Sequence, residues 1–396
     1  MYDYCIVGGG IVGLATALTV SRNKPDARIL VIERENALAS HQTGHNSGVI
    51  HAGIYYAPKS FKAELCRAGE SATKAFCDEN GIVYRTPGKL VVATDQLEMM
   101  RLAALEVNAA ANGISCRRLG AEELTEMEPA ASGLGAILVP QSGIVDYAQV
   151  GRTMADRIRE RGGEIMTGMS VERLEERADH VRVVTAETVF EARYAVACVG
   201  LQADRLASRS SMEVDFRIVP FRGEYYALRP ELANLVERMI YPVPDPALPF
   251  LGIHLTPMID GALTVGPNAV LGLSREGYPK FSVNARDIAS YLRFPGFWKL
   301  IAANLSSGAG EMRDSLFKSA YLEKCRKYCP SLQLEDLQPY RAGIRAQAVS
   351  RSGALIHDFM FLRSKRALHV CNAPSPAATS ALPIGRMIYE RLHAAD

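Results

Sequence analysis

The chain has 396 residues, 48% of them hydrophobic and 22% charged, and its 45 basic and 43 acidic residues give a net charge of +2. This length is too great for one ordinary core, so we expect two domains. The balanced charge argues against nucleic-acid binding, which requires a clustered excess of positive charge. Because no apolar run approaches about 18 residues, we expect no membrane-spanning helix. The N-terminus lacks the basic and apolar parts of a signal segment.

The eight cysteines are scattered and include no CxxC pair. Cys325 and Cys329 lie one helical turn apart, but no second pair completes a zinc site. We therefore expect reduced thiols, a cytoplasmic protein and no metal site.

The first residues have the pattern of a dinucleotide-binding βαβ unit. An apolar strand pattern is followed by GGGIVG at residues 8–13, by helical spacing, and by a second apolar strand that ends on Glu33. Gly8 would allow a tight turn, Gly10 would let the backbone approach a pyrophosphate, and Gly13 would let helix and strand pack closely. The helix start would bind phosphate, and the Glu33 carboxylate would accept hydrogen bonds from ribose hydroxyls.

The rest of the chain alternates between helical and strand patterns. Helices are predicted from Ser60 to Gly81, from Asp95 to Asn112, from Asp146 to Gly162, within 284–330, and from Ser380 to Ala394. Strands are predicted at 89–93, in a meander over 164–200, within 215–267 with a hairpin turn at Asp260-Gly261, and at 367–371. The helix after Ser60 is expected to bury Phe61, Leu65, Ala68, Ala72 and Phe76.

Six longer blocks resemble one flavoprotein family. They are HQTGHNSGVIHAGIYY at 41–56, FRGEYYAL at 221–228, PFLGIHLTP at 249–257, VGPNAVLGLSREGY at 265–278, RAGIRAQ at 341–347 and NAPSPAATS at 372–380. Together with the N-terminal unit, they are similar to the L-2-hydroxyglutarate dehydrogenase/oxidase family. That family belongs to the superfamily of D-amino-acid oxidase and glycerol-3-phosphate dehydrogenase.

The predicted fold class is α/β, with a discontinuous Rossmann-like FAD-binding domain and an α+β substrate domain built on a mixed or antiparallel sheet. The FAD-binding domain is expected to comprise residues 1–85, 145–214 and 335–396. The substrate domain is expected to comprise residues 86–144 and 215–334.

The resemblance implies an FAD-dependent enzyme that oxidises L-2-hydroxyglutarate to 2-oxoglutarate by hydride transfer to flavin N5. It implies a small 2-hydroxydicarboxylic acid as substrate, and a quinone, an electron-transfer chain or oxygen as electron acceptor. Noncovalent FAD is favoured over attachment through a loop histidine. Peripheral association with the cytoplasmic face of the inner membrane and the oligomeric state stay open.

Oxidation of a hydroxy acid needs a base for the hydroxyl proton, and histidine suits this step because its pKa lies near neutrality. His51 is the first candidate, because it lies in a glycine-flanked loop just after the dinucleotide motif. His254, on an alternating strand pattern, is a second candidate, either as the base or as a partner of a carboxylate. A structural role is the alternative for both.

Two substrate carboxylates require cations, and arginine binds a carboxylate through a planar fork. Predicted substrate-binding residues are Tyr56, Arg222, Tyr225, His254, Arg341 and Arg345. Predicted catalytic residues are His51, His254 and Arg345.

The predicted FAD ligands come from the glycine motif, the loop after it, the middle of the chain and the proline-containing segment near the C-terminus. They are Gly8, Gly10, Ile11, Val12, Gly13, Glu33, Arg34, Thr43, Asn46, Ser47, Gly48, Val171, Gly200, Pro376, Ala377, Ala378 and Thr379. The C-terminal segment leads into a helix whose first N–H groups would stabilise negative charge on the reduced flavin.

Other functions compete with this interpretation. A NAD-dependent dehydrogenase would share the glycine motif, but the second flavin-like segment favours FAD. A flavin disulfide reductase would need a second glycine motif and a close cysteine pair. An amino acid or amine oxidase, or a malate-like 2-hydroxy acid dehydrogenase of the same superfamily, is the main alternative, and a flavin-binding sensor without turnover is another.

Overall fold

The structure is a computed structural model that describes residues 1–246 and 251–394, without the side chains of residues 306 and 307. Its described residues form 11 α-helices, 22 β-strands and three short 3-10 helices. The helices are α1 (Ile11–Asn23), α2 (Phe61–Asn80), α3 (Gln96–Ala111), α4 (Ala121–Met127), α5 (Tyr147–Glu160), α6 (Ala203–Arg209), α7 (Ala285–Leu292), α8 (Pro295–Ala303), α9 (Leu305–Leu316), α10 (Lys318–Arg326) and α11 (Ala381–His393).

The strands are short, and they cover the predicted strand regions. They are β1 (Tyr2–Val7), β2 (Ile29–Ile32), β3 (Val49–Ile50), β4 (Tyr84–Arg85), β5 (Lys89–Ala93), β6 (Arg117–Gly120), β7 (Gly135–Val139), β8 (Gly143–Val145), β9 (Glu164–Met166), β10 (Val171–Glu176), β11 (Val181–Thr185), β12 (Val189–Ala197), β13 (Phe216–Gly223), β14 (Tyr226–Leu228), β15 (Met239–Pro242), β16 (His254–Pro257), β17 (Leu263–Gly266), β18 (Val270–Leu271), β19 (Leu337–Pro339), β20 (Gly343–Ser350), β21 (Met360–Arg363) and β22 (Ala367–Asn372).

The first sheet carries the dinucleotide motif. It has eight strands in the order β10-β11-β12-β1-β2-β9, with β22 joined to β12 and β21 joined to β22. Strands β22, β12, β1, β2 and β9 run parallel to their neighbours in this series. This parallel core confirms the Rossmann-like part of the predicted fold.

The two ends of the chain pack against each other on this sheet. Helix α11, from the C-terminus, crosses α1 so closely that a Cβ on Gly385 would lie 2.6 Å from the carbonyl oxygen of Ala15. Side chains from α1, α5, α11 and the first sheet share one apolar core. The N-terminal glycine motif and the segment before α11 are therefore held side by side.

The second sheet is mixed, as predicted. It has eight strands in the order β19-β14-β17-β16-β15-β5-β7-β6, and its one parallel pair among the described strands is β15 with β5. A three-stranded sheet, β18-β13-β20, and a small sheet, β3-β8-β4, complete the strand pairing. Strand β19 lies within the predicted FAD-binding segment 335–396, but it pairs with β14 in this second sheet.

The predicted buried face of α2 is wrong in part. Phe61 and Ala68 are exposed, and the buried residues are Ala63, Cys66, Gly69, Thr73, Phe76 and Cys77. The helix turns this face toward the segment before α11, since a Cβ on Gly69 would lie 2.3 Å from the carbonyl oxygen of Thr379. The ends of the helix are as predicted, with Ser60 as the N-cap and Gly81 as a left-handed C-cap.

Two further observations concern individual segments. Pro249 and Phe250, which begin one of the blocks used in the sequence comparison, lie outside the described residues. Among the described residues, none of the helices combines the length and the apolar character needed to cross a bilayer.

Candidate active site

A cavity bordered by the described residues has a volume of about 990 Å³. It is lined by the glycine motif, by the loop after β2, by the segment before α11, and by residues of the second and third sheets. Ligand pockets usually measure about 300–1,000 Å³, so this cavity has room for a ligand of dinucleotide size.

Most of the predicted site residues line this one cavity. They are Gly8, Gly10, Ile11, Val12, Glu33, Arg34, Thr43, Asn46, Ser47, His51, Tyr56, Val171, Gly200, Tyr225, His254, Arg345, Pro376, Ala377, Ala378 and Thr379. Four predicted residues are not part of its lining: Gly13, Gly48, Arg222 and Arg341.

Thr379 connects the two chain ends at the cavity. Its Oγ1 accepts a hydrogen bond from the His51 backbone N–H at 3.1 Å, and it lies 2.9 Å from the Tyr147 hydroxyl and 3.3 Å from the Val49 carbonyl oxygen. Its own carbonyl accepts a hydrogen bond from the Thr73 hydroxyl. The loop that holds His51 is thereby fixed against the segment 373–379.

The three glycines of the motif meet different steric requirements. Gly8 has a φ of +111°, and a Cβ there would lie 2.3 Å from the carbonyl oxygen of Cys198. A Cβ on Gly13 would lie 2.0 Å from the carbonyl oxygen of Gly8, so Gly13 serves packing and lies behind the cavity wall. A Cβ on Gly10 would meet nothing closer than Thr43 Oγ1 at 3.4 Å, although Gly10 lines the cavity.

The start of α1 is built to face an anion. Gly10 occupies the N-cap position and offers no side-chain oxygen to the first turn. The Ile11 N–H donates to Thr43 Oγ1 at 2.9 Å, while the remaining first-turn N–H groups carry the positive end of the helix dipole. This arrangement suits a diphosphate.

Glu33 and Arg34 lie at the end of β2, on the cavity wall. The Glu33 carboxylate accepts hydrogen bonds from the Gly9 N–H at 2.6 Å and from the Glu35 N–H at 2.9 Å. Arg34 forms ion pairs with Glu276 at 2.6 Å and Glu35 at 3.1 Å. These contacts fix both side chains where a ribose and a base would follow the diphosphate.

Gly48 and Asn46 shape the loop that carries His51. Gly48 has a φ of +67°, and a Cβ there would lie 2.8 Å from the carbonyl oxygen of Val145. Its N–H donates to Asn46 Oδ1 at 2.8 Å. Gly48 therefore sets the path of the loop and does not reach the cavity.

His51, which follows β3, His254 on β16 and Arg345 on β20 line the same cavity. Burial, followed by the nearby charge of Lys89, lowers the pKa of His51 to about 3. Burial, followed by His51, Arg345 and Lys89, lowers the pKa of His254 well below its usual value. These surroundings thus favour the neutral form of both imidazoles, which is the form that a base requires.

Arg345 is a half-buried cation in the same region. It lies on β20, its Nη1 donates to the Asn268 carbonyl oxygen at 3.0 Å, and burial lowers its pKa. Tyr225 lies nearby, and burial raises the pKa of its hydroxyl to about 12, so the phenol is available as a donor. The guanidinium and the phenol together suit a carboxylate.

Two predicted substrate ligands lie elsewhere. Arg222 is directed to a loop, where its Nη1 donates to the Tyr278 carbonyl oxygen and its Nε lies 3.4 Å from Glu224 Oε1. Arg341 is exposed and stands over the ring of Tyr340. Because neither lines the cavity, we leave both out of the proposed substrate site.

Sequence reasoning missed three residues beside the histidines: Tyr55, Tyr241 and Lys89. Tyr241 stacks on His254 with ring centres 3.9 Å apart, and Lys89 lies close to both tyrosine rings. The one available signal in the sequence is the lysine that begins the otherwise apolar strand KLVVA.

The match to a known protein family agrees with this geometry. Residues 3–391 match the DAO family, described as FAD dependent oxidoreductase. The chain belongs to this family. It is therefore an FAD-dependent oxidoreductase.

Relatives within the family are similar over almost the whole chain. An L-2-hydroxyglutarate dehydrogenase of Salmonella houtenae is 53% identical over 395 residues, covering 100% of this chain and 94% of that protein. The mitochondrial L-2-hydroxyglutarate dehydrogenase of Bos taurus is 44% identical, covering 99% and 88%. Among solved structures, the L-alpha-glycerophosphate oxidase of Mycoplasma pneumoniae with FAD bound has a TM-score of 0.82 at 22% identity, covering 100% and 95%.

The glycine motif permits a direct test of the FAD site in this oxidoreductase. We expect Gly10→Ala to leave the melting temperature of the FAD-free protein within about 2 °C of wild type, because its Cβ has room. FAD affinity should fall at least about tenfold, because the methyl group would occupy space next to the diphosphate. Thermal unfolding and FAD titration measure the two effects.

Gly13→Ala is the matched comparison. Its Cβ would collide with backbone, so this variant should lose stability even without FAD. If Gly10→Ala bound FAD as tightly as wild type, the diphosphate would not lie at Gly10.

Proposed function

We propose that the protein oxidises L-2-hydroxyglutarate to 2-oxoglutarate, using noncovalently bound FAD. FAD supplies the hydride acceptor at N5 of its ring. The observation that supports the substrate class best is that a half-buried arginine, Arg345, lines the same cavity as two histidines, His51 and His254, beside the proposed dinucleotide site. The high identity to relatives named for this activity gives independent support.

The proposed FAD site is the part of the cavity between the glycine motif and the segment before α11. The N–H groups of α1 would hold the diphosphate, and Glu33 would bind ribose. Residues 376–379 line the cavity just before α11, so the positive end of that helix dipole stabilises negative charge there.

The proposed substrate site is the part lined by the second and third sheets. Arg345 binds one carboxylate, assisted by the hydroxyl of Tyr225, and Tyr56 contributes a second phenol to the lining. An imidazole nitrogen of His51 accepts the hydroxyl proton, while His254 contacts the substrate from the facing sheet. The substrate carboxylates favour the imidazolium that forms, because they raise the pKa of the histidine.

We assign the base to His51 because of how it is anchored. Its backbone is tied to Thr379, on the proposed cofactor side of the cavity. His254 instead lies on β16, and its Nδ1 is 3.0 Å from Thr256 Oγ1. The hydroxyl carbon must face the cofactor, so the base belongs on the side where His51 lies.

Specificity measurements test this function against its rivals. We compare kcat/KM for L-2-hydroxyglutarate, D-2-hydroxyglutarate, L-malate and glycine with one artificial electron acceptor. The L-2-hydroxyglutarate value should exceed the others by at least about 100-fold. A preference for glycine would identify an amine oxidase, and a preference for L-malate would identify a different hydroxy acid dehydrogenase.

For the electron acceptor, we propose a quinone at an anionic membrane surface. The support is a set of exposed large apolar side chains on and around α7, α8 and α9, which we call the α7–α9 surface. Its members are Phe281, Val283, Leu292, Trp298, Leu305, Met312, Leu316 and Phe317. Exposed aromatic and aliphatic side chains on adjacent helices suit the interface of a bilayer.

The charges of the same segment match an anionic lipid surface. Residues 280–318 contain six basic residues (Lys280, Arg286, Arg293, Lys299, Arg313 and Lys318) and three acidic ones (Asp287, Glu311 and Asp314). Asp287 and Asp314 are buried, and Glu311 pairs with Lys324 at 2.8 Å. Residues 284, 286 and 287 also line the cavity, so this surface adjoins the proposed active site.

Vesicle flotation tests the α7–α9 surface. The double variant Trp298→Ser/Phe317→Ser should bind vesicles of phosphatidylglycerol at least about tenfold more weakly than wild type, because each lost aromatic removes about 1.5–3 kcal/mol of burial. Its turnover with a soluble acceptor should be unchanged. The control is Met100→Ser/Val107→Ser, which removes two equally exposed apolar side chains on α3.

Equal flotation of both double variants would exclude the α7–α9 surface. Absence of wild-type binding, together with faster reoxidation by oxygen than by a soluble quinone analogue, would exclude a membrane acceptor.

A further inference from the structure

Lys89 is a fully buried cation close to the two histidines. It begins β5, and its exposed fraction is 0%. Within the described residues, its Nζ has no hydrogen-bond partner. The ammonium lies 4.4 Å from the centre of the Tyr55 ring and 5.0 Å from that of Tyr241. Its identified contacts are therefore with aromatic rings.

The two rings connect this cation to the cavity. Tyr241 stacks on His254, with ring centres 3.9 Å apart and ring planes 8° apart. Tyr55, Tyr241, His51 and His254 all line the cavity, whereas Lys89 does not. Lys89 thus lies immediately behind the wall that carries the proposed base.

Stability does not explain a lysine at this position. A buried ammonium without a hydrogen-bonded acidic partner is costly, and cation–π contacts offset only a part of that cost. Val91 and Ala93, on the same face of β5, belong to an apolar core cluster. An unbranched apolar side chain of the same length, such as methionine, would suit these surroundings better.

We propose that Lys89 is a positioning residue, whose positive charge behind the tyrosine wall extends to lower pH the range in which His51 and His254 stay unprotonated. This role rests on the proposed function, because it assumes that one of these histidines is the base. Because water screens the Lys89 charge only weakly in the buried site, this charge acts on both imidazole rings with little attenuation.

Among the described residues, no acidic group acts on the pKa of His51, which responds to burial and to Lys89. From α2, Cys66 donates its thiol to the His51 carbonyl oxygen, and burial raises the pKa of that thiol to about 12, so it stays neutral. From the segment before α11, Thr379 contacts the His51 backbone.

The described groups that act on the His254 ring are likewise neutral or positive. Tyr241 and Thr256 are neutral, and Arg345 is the second cation that acts on this ring. Replacing Lys89 by an uncharged residue therefore removes one positive charge, while the burial of the histidines and the charge of Arg345 stay the same.

Histidine NMR tests the role without depending on turnover. In FAD-loaded protein with 15N-labelled histidine, assigned with His51→Gln and His254→Gln, we expect Lys89→Met to raise the pKa of His51 by roughly one pH unit. Lys89→Arg keeps the charge and should leave that pKa where it is. Lys89→Gln, also uncharged, should repeat the result of Lys89→Met and serves in its place if the methionine variant does not fold.

Flavin reduction gives the second readout. The acidic limb of the reduction rate against pH should move to higher pH in Lys89→Met and not in Lys89→Arg. Identical histidine pKa values and identical acidic limbs in wild type and Lys89→Met would overturn the proposal. If L-2-hydroxyglutarate failed to reduce the wild-type flavin, the proposed function would fall, whereas the NMR titration would still decide the effect of Lys89 on the histidines.

Thermal stability separates this role from a structural one. Burial lowers the pKa of Lys89 from 10.5 to about 8, so between these values the unfolded chain holds a proton that the folded chain has released. The wild type should gain stability from this residue as pH rises through that window, and Lys89→Met should lack the gain. A large loss of melting temperature in Lys89→Met at pH 7 would indicate a structural lysine.

Discussion

Replacing His51 by glutamine is expected to slow flavin reduction by L-2-hydroxyglutarate roughly 10²- to 10⁴-fold, the usual contribution of a general base. The amide keeps the approximate size of the side chain but cannot accept the hydroxyl proton. The backbone N–H of residue 51 still reaches Thr379, so the loop should keep its position. Anaerobic stopped-flow measurement of the reduction rate checks this expectation.

The comparison variant is His254→Gln. If His51 is the base, His254→Gln should raise KM more than it lowers the reduction rate, because His254 only contacts the substrate. A third variant, His180→Gln, changes a half-buried histidine outside the cavity lining that pairs with Asp179, and it should behave as wild type. Near-wild-type reduction by His51→Gln, with a large loss in His254→Gln, would transfer the role of base to His254.

Replacing Arg345 by methionine is expected to raise KM for L-2-hydroxyglutarate about 100-fold, with little change in FAD retention. The methionine keeps an unbranched chain but removes the guanidinium, and a buried charge–carboxylate contact contributes about 3 kcal/mol, which corresponds to roughly 100-fold. The KM of Arg345→Lys should lie between those of wild type and Arg345→Met, because an ammonium keeps the charge but lacks the planar fork. Steady-state kinetics and the flavin content of the purified variants measure both quantities.

Arg341→Met is the matched control, four residues away and outside the cavity lining. It should leave KM unchanged. If Arg345→Met lost FAD in proportion to its loss of substrate affinity, Arg345 would serve the cofactor instead.

The sequence predicts well whatever depends on short-range pattern. The strand, glycine turn, helix and second strand of the dinucleotide unit occupy the predicted residues, because each follows from local periodicity and from backbone geometry that only glycine permits. The caps of α2 and α3 were likewise predictable from Ser60 and Asp95.

The pairing register of β13 and β20 explains why Arg345 lines the cavity and Arg222 does not. Strand β13 pairs with β20 so that Phe221 is opposite Arg345 and Arg222 is opposite Ile344. Opposite residues share a face and successive residues alternate, so the two arginines lie on opposite faces. A single sequence does not specify this register.

The cluster of Lys89, Tyr55 and Tyr241 was unpredictable for a related reason. Tyr55 comes from the loop after β3, Lys89 from β5 and Tyr241 from β15, and β5 pairs with β15 across about 150 residues of chain. No local pattern connects these positions. The choice of buried face on α2 also depended on a distant partner, the segment before α11.

The central claim is that one cavity holds FAD and, beside it, a site for L-2-hydroxyglutarate. Anaerobic titration of the purified protein with this substrate, followed through the visible absorbance of the flavin, tests it most directly. We predict that about one equivalent of substrate per flavin bleaches the absorbance completely and yields one equivalent of 2-oxoglutarate. A flavin that stays oxidised with L-2-hydroxyglutarate, or that is bleached equally by the D-enantiomer, would contradict the claim.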